Sequence, residues 1–332
     1  MESTHTNSSV VEFELAGFPD LENYDTLLFV ILLVIYLLIL SANTIIFTII
    51  CATCHLHIPM YFFIATLAAL EVFYTTVTMP RTLVDLLRRK KSISFSSCLL
   101  QIYFFHSLGI SEACLLTVMA YDRYLAICTP LTYTTTMTTK FCFQLVLGCC
   151  TCGFLCPLPE ILLTSWLPFC QHSYIDHIFC DFPPLISLAC TDISINTVVD
   201  FSFHSVVILI PISLILFSYL KILKVTLMIK SSQGRQKAFS TCASHLTVVL
   251  TFFGTTSFMY MRLSWMGSVH YDRIIAVIYA FLIPLFNPII YSLRNKDIRD
   301  LFTLKKKGGV FVWGFFSLRK HVSGPESKTT IT

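Results

Sequence analysis

The chain has 332 residues, is 55% hydrophobic and only 13% charged, and carries a formal net charge of +4 at pH 7. A soluble domain would hold about 25% charged residues, and the mean hydropathy here is +0.74, so the composition excludes a soluble globular protein and makes the lipid bilayer the solvent. The small positive balance is read as membrane orientation, not as a footprint for nucleic acid.

In chain order, residues 1–24 contain no Lys or Arg, and Asn7-Ser8-Ser9 is a glycosylation acceptor. No basic n-region precedes the first apolar run, so residues 1–24 read as an extracellular N-terminus and the run as an anchor, not a cleaved signal. A bilayer-crossing helix needs about 20 mostly apolar residues. Seven runs supply them, with spans predicted at 26–54, 58–80, 98–122, 141–163, 197–221, 238–261 and 272–293. None shows the alternation of a barrel strand. The expected fold is an all-α membrane protein, a seven-transmembrane helix bundle over residues 25–293.

An odd number of spans puts the termini on opposite sides. With the N-terminus outside, most of the 23 Lys and Arg residues fall inside, as the positive-inside rule asks. The dissent is Arg81, Arg88, Arg89, Lys90 and Lys91, on a loop placed outside. Residues 294–332 then form a cytoplasmic tail: a short amphipathic helix near 294–304, Lys305-Lys306-Lys307, and the apolar stretch GGVFVWGFFSLRK. That stretch is too short to span; it either lies on an anionic inner surface or is disordered.

Of the 14 cysteines, Cys98, Cys170, Cys180 and Cys190 fall in or beside the predicted outer loops, where oxidation is expected. Four half-cystines allow three pairings, and spacing does not choose among them. Cys149, Cys150, Cys152 and Cys156 crowd the fourth span and read as small buried helix residues, not metal ligands.

Charges inside the spans are the candidates for function. Glu112 lies ten residues before Asp122, about 15 Å along a helix, which sets Glu112 near mid-bilayer and the Asp122-Arg123 pair at the inner boundary. Glu71 sits near the middle of the second span and Asn43 in the first. Together they form a polar core that either holds a cation, sodium at Glu71 and Glu112 being the candidate, or hydrogen-bonds for packing. Pro211, Pro284 and Pro288 lie inside the fifth and seventh runs, where each frees a backbone carbonyl and can bend the helix.

Five motifs then point one way: LHIPMYFF at 56–63, MAYDRYLAIC at 119–128, SY at 218–219, KAFSTCASHL at 237–246 and NPIIYSLRN at 287–295. In this order, across seven spans, the chain resembles the odorant receptors, a family of rhodopsin-like (class A) G-protein-coupled receptors, over about residues 10–300. The resemblance implies that Asp122, Arg123 and Tyr124 serve G-protein coupling, with Arg123 paired to Asp122 in the inactive form. It implies that Tyr219, Asn287, Pro288 and Tyr291 rearrange on activation. Glu71 and Glu112 match the acidic positions of the family's inner polar core, although Glu71 replaces the commoner Asp. Phe253 stands where Tyr is common, and Thr132 departs from the usual PLRY. The implied disulfides are Cys98–Cys180 and Cys170–Cys190.

The resemblance further implies a plasma-membrane receptor, not an enzyme and without a cofactor. Its implied partners are a small volatile odorant and a heterotrimeric G protein of the stimulatory, olfactory type that raises cyclic AMP. For a mostly apolar pocket between spans 3, 5, 6 and 7, helical facing selects Phe105, His106, Gly109 and Ile110 on the third span. Phe203, His204 and Val207 are selected on the fifth, Phe253, Thr256, Ser257 and Tyr260 on the sixth, and Val277 and Ala280 on the seventh. Two other classes fit less well. A secondary transporter calls for two related halves, and no internal repeat is visible; an intramembrane enzyme calls for paired catalytic groups, and HExxH and GxSxG are both absent. Within receptors, the alternative ligand is a non-odorant metabolite.

Overall fold

The computed structural model describes residues 12–170, 174–229, 231–261 and 269–294. Asn7, the amphipathic stretch after residue 294 and Lys305-Lys306-Lys307 lie outside the described residues. Seven helical segments are long and apolar enough to cross a membrane. They comprise α1 (Asp25–Ala52), α2 (Pro59–Leu86), α3 (Phe95–Cys128), the pair α5 (Thr139–Leu155) and α6 (Leu158–Ser165), α8 (Ser194–Leu227), α9 (Ser232–Tyr260), and the pair α10 (Val269–Val277) and α11 (Ile283–Arg294). A short α4 (Pro130–Thr136) follows α3.

Local signals set the starts. The Ser94 hydroxyl accepts from Ser97 N and caps α3, the Thr138 hydroxyl accepts from Phe141 N and caps α5, and proline opens α2 and α4. The helices overrun the apolar runs: α3 starts three residues before the predicted 98 and continues to Cys128, and α8 extends to Leu227. Hydropathy marks where lipid ends, whereas the backbone ladder continues for as long as nothing breaks it. Breaks occur where sequence and packing require them. Pro157 separates α5 from α6, and a five-residue π turn, Ile278–Leu282, joins α10 to α11.

The helices α2 and α3 form the buried centre of the bundle, while α1 and α8 expose Leu27, Val34, Leu38, Phe217 and Leu220 on the face that meets lipid. Helix α5 approaches α3 so closely that a Cβ on Gly153 would sit 2.0 Å from Ser111 Oγ and 2.5 Å from the Ser107 carbonyl. Only glycine fits there.

One end of the bundle is roofed by three segments remote in sequence. Strand β1 (Glu12–Leu15) pairs antiparallel with β2 (Ser92–Ser94) and parallel with β3 (Tyr174–Ile175). Beneath them Phe13, Leu15, Ile93, Ile102, Phe169, Ile175 and Phe182 form an apolar layer separate from the bundle core. The disulfides Cys98–Cys180 and Cys170–Cys190 tie this roof together; they are the pairings the resemblance implied. The structure also explains the basic stretch at 81–91. Arg81 pairs with Asp85 at 2.8 Å and donates to the Ser92 carbonyl, and Lys91 is buried against Gly17. Those two charges serve the roof; Arg88, Arg89 and Lys90 are exposed.

Candidate functional site

Directly after Cys180, α7 (Phe182–Ile186) begins, capped by the side chain of Asp181. The disulfide, and a bond from Cys180 N to Gln101 Oε1 at 3.0 Å, fix this residue over the bundle. Asp181 is wholly buried. Its Oδ1 accepts from Phe182 N at 2.9 Å and from His106 Nε2 at 2.9 Å. Its Oδ2 accepts from Tyr260 at 2.8 Å and Tyr279 at 3.3 Å. Burial alone would raise its carboxyl pKa, but the hydrogen bonds and charge of His106, with the bond from Tyr260, hold it at about 2. One loop carboxylate thus gathers α3, α9 and the π turn.

The contacts continue sideways. His106 Nδ1 lies 3.4 Å from His204 Nε2, and His204 Nδ1 lies 2.9 Å from the Asp200 carbonyl, which can only accept. With His106 Nε2 donating to a carboxylate, the two rings form one chain of polar contacts from Asp181 to the Asp200 carbonyl. The ring of His204 also stacks on Tyr260 at 4.3 Å and 9°.

Under this network lies a narrow cavity of about 50 Å³. Of the predicted residues it is lined by Phe105, His106, Gly109 and Ile110 on α3, Phe203, His204 and Val207 on α8, and Phe253, Thr256 and Tyr260 on α9. Tyr74, Ala113, Ile208, Phe252 and Tyr279 complete the wall. Ser257, Val277 and Ala280 are not among the lining residues. Within the π turn Tyr279 reaches the cavity, while Ala280 packs into the core. Tyr74 enters from α2, stacked on Phe105 at 4.8 Å. No motif flagged Asp181, although its place beside a half-cystine in the loop over the bundle was the available signal.

Deeper in the bundle, Glu71, Glu112, Asn287 and Asn43 are all buried. Asn287 Nδ2 donates to Glu71 Oε1 and, at 3.3 Å, to Glu112 Oε1. Asn43 Nδ2 donates to the Pro284 carbonyl at 3.2 Å. That carbonyl would have bonded residue 288, but Pro288 has no N–H, so Asn43 supplies the missing donor. Glu71 Oε2, Asn287 Oδ1 and the Tyr291 hydroxyl find no partner among the described residues. Two adjacent carboxylates in a dry interior need a proton or a cation between them.

At the far end from the roof, Arg123 bonds Asp122 at 2.9 Å, and the Tyr133 hydroxyl donates to the other oxygen of Asp122 at 2.8 Å. Tyr124 stacks on Tyr121 with centroids 6.3 Å apart. His245, inside the KAFSTCASHL motif, is fully buried. Its Nε2 faces the Leu116 carbonyl at 3.0 Å and so carries the proton, leaving Nδ1 to accept from Tyr219 at 2.8 Å. This ring links α3, α8 and α9.

Comparison with known proteins agrees with the geometry. A model of the olfactory receptor family matches residues 32–306. Human Olfactory receptor 6N1 is 52% identical over 293 residues, covering 88% of this chain and 94% of that protein. Human Olfactory receptor 6K2 is 50% identical over 326 residues, 97% of this chain and 99% of that protein. Mouse Olfactory receptor 6B9 is 42% identical over 302 residues, 91% of this chain and 96% of that protein. With seven apolar helices, a disulfide-tied roof and this match along most of its length, the chain belongs to the olfactory receptor family: it is a multi-pass membrane receptor of the G-protein-coupled class, not an enzyme.

Proposed function

We propose that the cavity beneath Asp181 is the odorant site, and that its occupation activates a stimulatory, olfactory-type G protein and raises cyclic AMP. Residues 1–24 and the roof face outside, where disulfides persist; residues 25–293 cross the plasma membrane, and residues 294–332 are cytoplasmic. The observation that carries the reading is the cavity itself, mostly apolar, with polar groups at His106, His204, Thr256 and the tyrosines Tyr74, Tyr260 and Tyr279. Such a wall suits a small volatile with one hydrogen-bonding group.

The narrowness of the cavity supplies a mechanism. A ligand larger than the free space must push aside the stacked rings of His204 and Tyr260, and displacing Tyr260 weakens its bond to Asp181. His245 lies fifteen residues before Tyr260 on the same helix, about 22 Å away. Movement of α9 at the cavity therefore disturbs the His245 contacts to Tyr219 and Leu116. That loosens the end where Arg123, once released from Asp122, meets the G protein. Asn287, Pro288 and Tyr291 adjust around the polar core, with sodium or a proton between Glu71 and Glu112 holding the inactive arrangement.

The test fills the cavity. Ala113→Phe, measured against a panel of volatiles by a cyclic AMP reporter in surface-matched cells, is expected to remove every response. Responses equal to wild type place the ligand elsewhere.

A further inference from the structure

Glu160 takes no part in the Asp181 network and does not line the cavity. It lies in α6, is 3% exposed, and neither of its carboxylate oxygens has a hydrogen-bond partner. A buried carboxylate with no donor is costly, and takes either a proton or a counter-charge. Two residues of α8 face it. Asp200, its side chain 13% exposed, has an Oδ1 that likewise finds no donor, and His204 lies one turn further along. One ligating atom from each of the three lies within 4.8 Å of the others, and His204 Nδ1 is 3.3 Å from Asp200 Oδ1.

We propose that Glu160, Asp200 and His204 form a binding site for a divalent transition-metal cation of the zinc class, set against the wall of the cavity. Zinc–oxygen and zinc–nitrogen bonds near 2.1 Å place tetrahedral ligand atoms about 3.4 Å apart, so closing the site takes a side-chain rotation, not a backbone change. Two carboxylates cancel the charge of the ion, which is the balance a low-dielectric site needs. The imidazole directs the choice towards zinc or copper and away from calcium and magnesium, which prefer all-oxygen sites. The outer contacts fit as well. Metal on Nδ1 displaces the proton that this nitrogen donates to the Asp200 carbonyl and leaves the ring's proton on Nε2, to donate to His106, whose own Nε2–H donates to Asp181; hydrogen bonds of this kind orient ligating histidines. Three protein ligands leave a fourth position open. The bound ion ties α6 to α8 and fixes the His204 ring that lines the cavity, so it acts as a modulator of the pocket. This inference holds whatever the cavity binds.

The test uses the full chain in lipid nanodiscs, titrated with zinc chloride by calorimetry and, separately, with cobalt chloride read by visible absorption. Wild type is expected to take up one equivalent at micromolar or lower concentration, with the intense cobalt bands of a tetrahedral site, unaffected by excess magnesium or calcium. Glu160→Gln and Asp200→Asn each weaken binding by at least about tenfold. Both keep side-chain volume, and melting temperatures in EDTA identify folded samples; if one variant does not fold, the other decides. His55→Ala with His57→Ala, at exposed positions outside the cluster, is expected to bind as wild type does. Absence of saturable binding below about 1 mM, or equal affinity in wild type and in the folded carboxamide variants, overturns the proposal.

Discussion

The two ends of the bundle are built differently. The roof is held by two disulfides, a sheet drawn from three remote segments, and one carboxylate with four donors. At the opposite end, the bonds between elements named above are Tyr133 to Asp122, Tyr219 to His245 and His245 to the Leu116 carbonyl. The Arg123–Asp122 pair joins adjacent residues and ties no helices together. A native disulfide contributes about 2–5 kcal/mol, whereas a neutral side-chain hydrogen bond nets about 1 kcal/mol. An input of a few kcal/mol therefore rearranges one end and leaves the other standing. That asymmetry is what a receptor needs, because a ligand shifts an equilibrium only by its differential affinity for the two states.

The comparison breaks most completely if the roof is opened. Cys98→Ser or Cys180→Ser is expected to abolish surface expression, scored by labelling intact cells; normal surface levels and ligand responses in both variants would falsify the locked roof. Next in size is Arg123→Ala, which touches only the loosely held end. Surface expression should persist while the cyclic AMP response to every agonist is lost. An intact response would remove Arg123 from coupling.

Between the ends, effects become graded. Tyr260→Ala removes a hydrogen bond to Asp181 and the stack on His204, together worth on the order of 1–3 kcal/mol, so potency should fall roughly tenfold to a hundredfold and unevenly between agonists. A uniform loss would mark Tyr260 as part of the roof alone. Glu112→Gln keeps shape and removes one of two facing carboxylates. Basal activity, or its dependence on sodium, should change by a smaller factor; identical sodium titrations would leave Glu112 a packing residue.

Much of this arrangement was legible in the sequence because a bilayer imposes simple rules. Seven apolar runs gave seven helical segments of membrane length, two of them broken, and a helical face on α3 gave Phe105, His106, Gly109 and Ile110 at one cavity. What failed was any inference crossing an irregular backbone. The π turn brings Tyr279 to the cavity wall in place of Ala280, and no periodicity announces such a turn. Asp181 and the Glu160–Asp200–His204 cluster depend on where a long loop and the end of α6 settle, which is long-range packing. His245 was quoted inside a motif but left without a role, since only the folded structure shows Tyr219 and the Leu116 carbonyl on its two sides.

The smallest expected effect lies within the roof and separates two of its buried titrating groups, Asp181 and His177. Asp181, held at about 2 by its donors, adds stability that is present above the ordinary carboxyl value and lost only as pH falls through about 2. It therefore stays ionised in any ordinary assay. His177 behaves oppositely. Burial lowers its pKa from 6.5, against the opposing pull of Asp181 and its bond to the Phe179 carbonyl. Its Nδ1 donates to that carbonyl at 2.9 Å, leaving Nε2 buried with no partner among the described residues. The unfolded chain takes up a proton as pH drops through 6.5 and the folded roof does not, so stability is full above 6.5 and declines below it. Melting of the receptor in nanodiscs should fall between pH 7.5 and 5.5. In His177→Asn, whose amide nitrogen replaces the Nδ1 donor but does not titrate, that fall should shrink. An equal fall in both proteins would show that the acid sensitivity of the roof comes from another group.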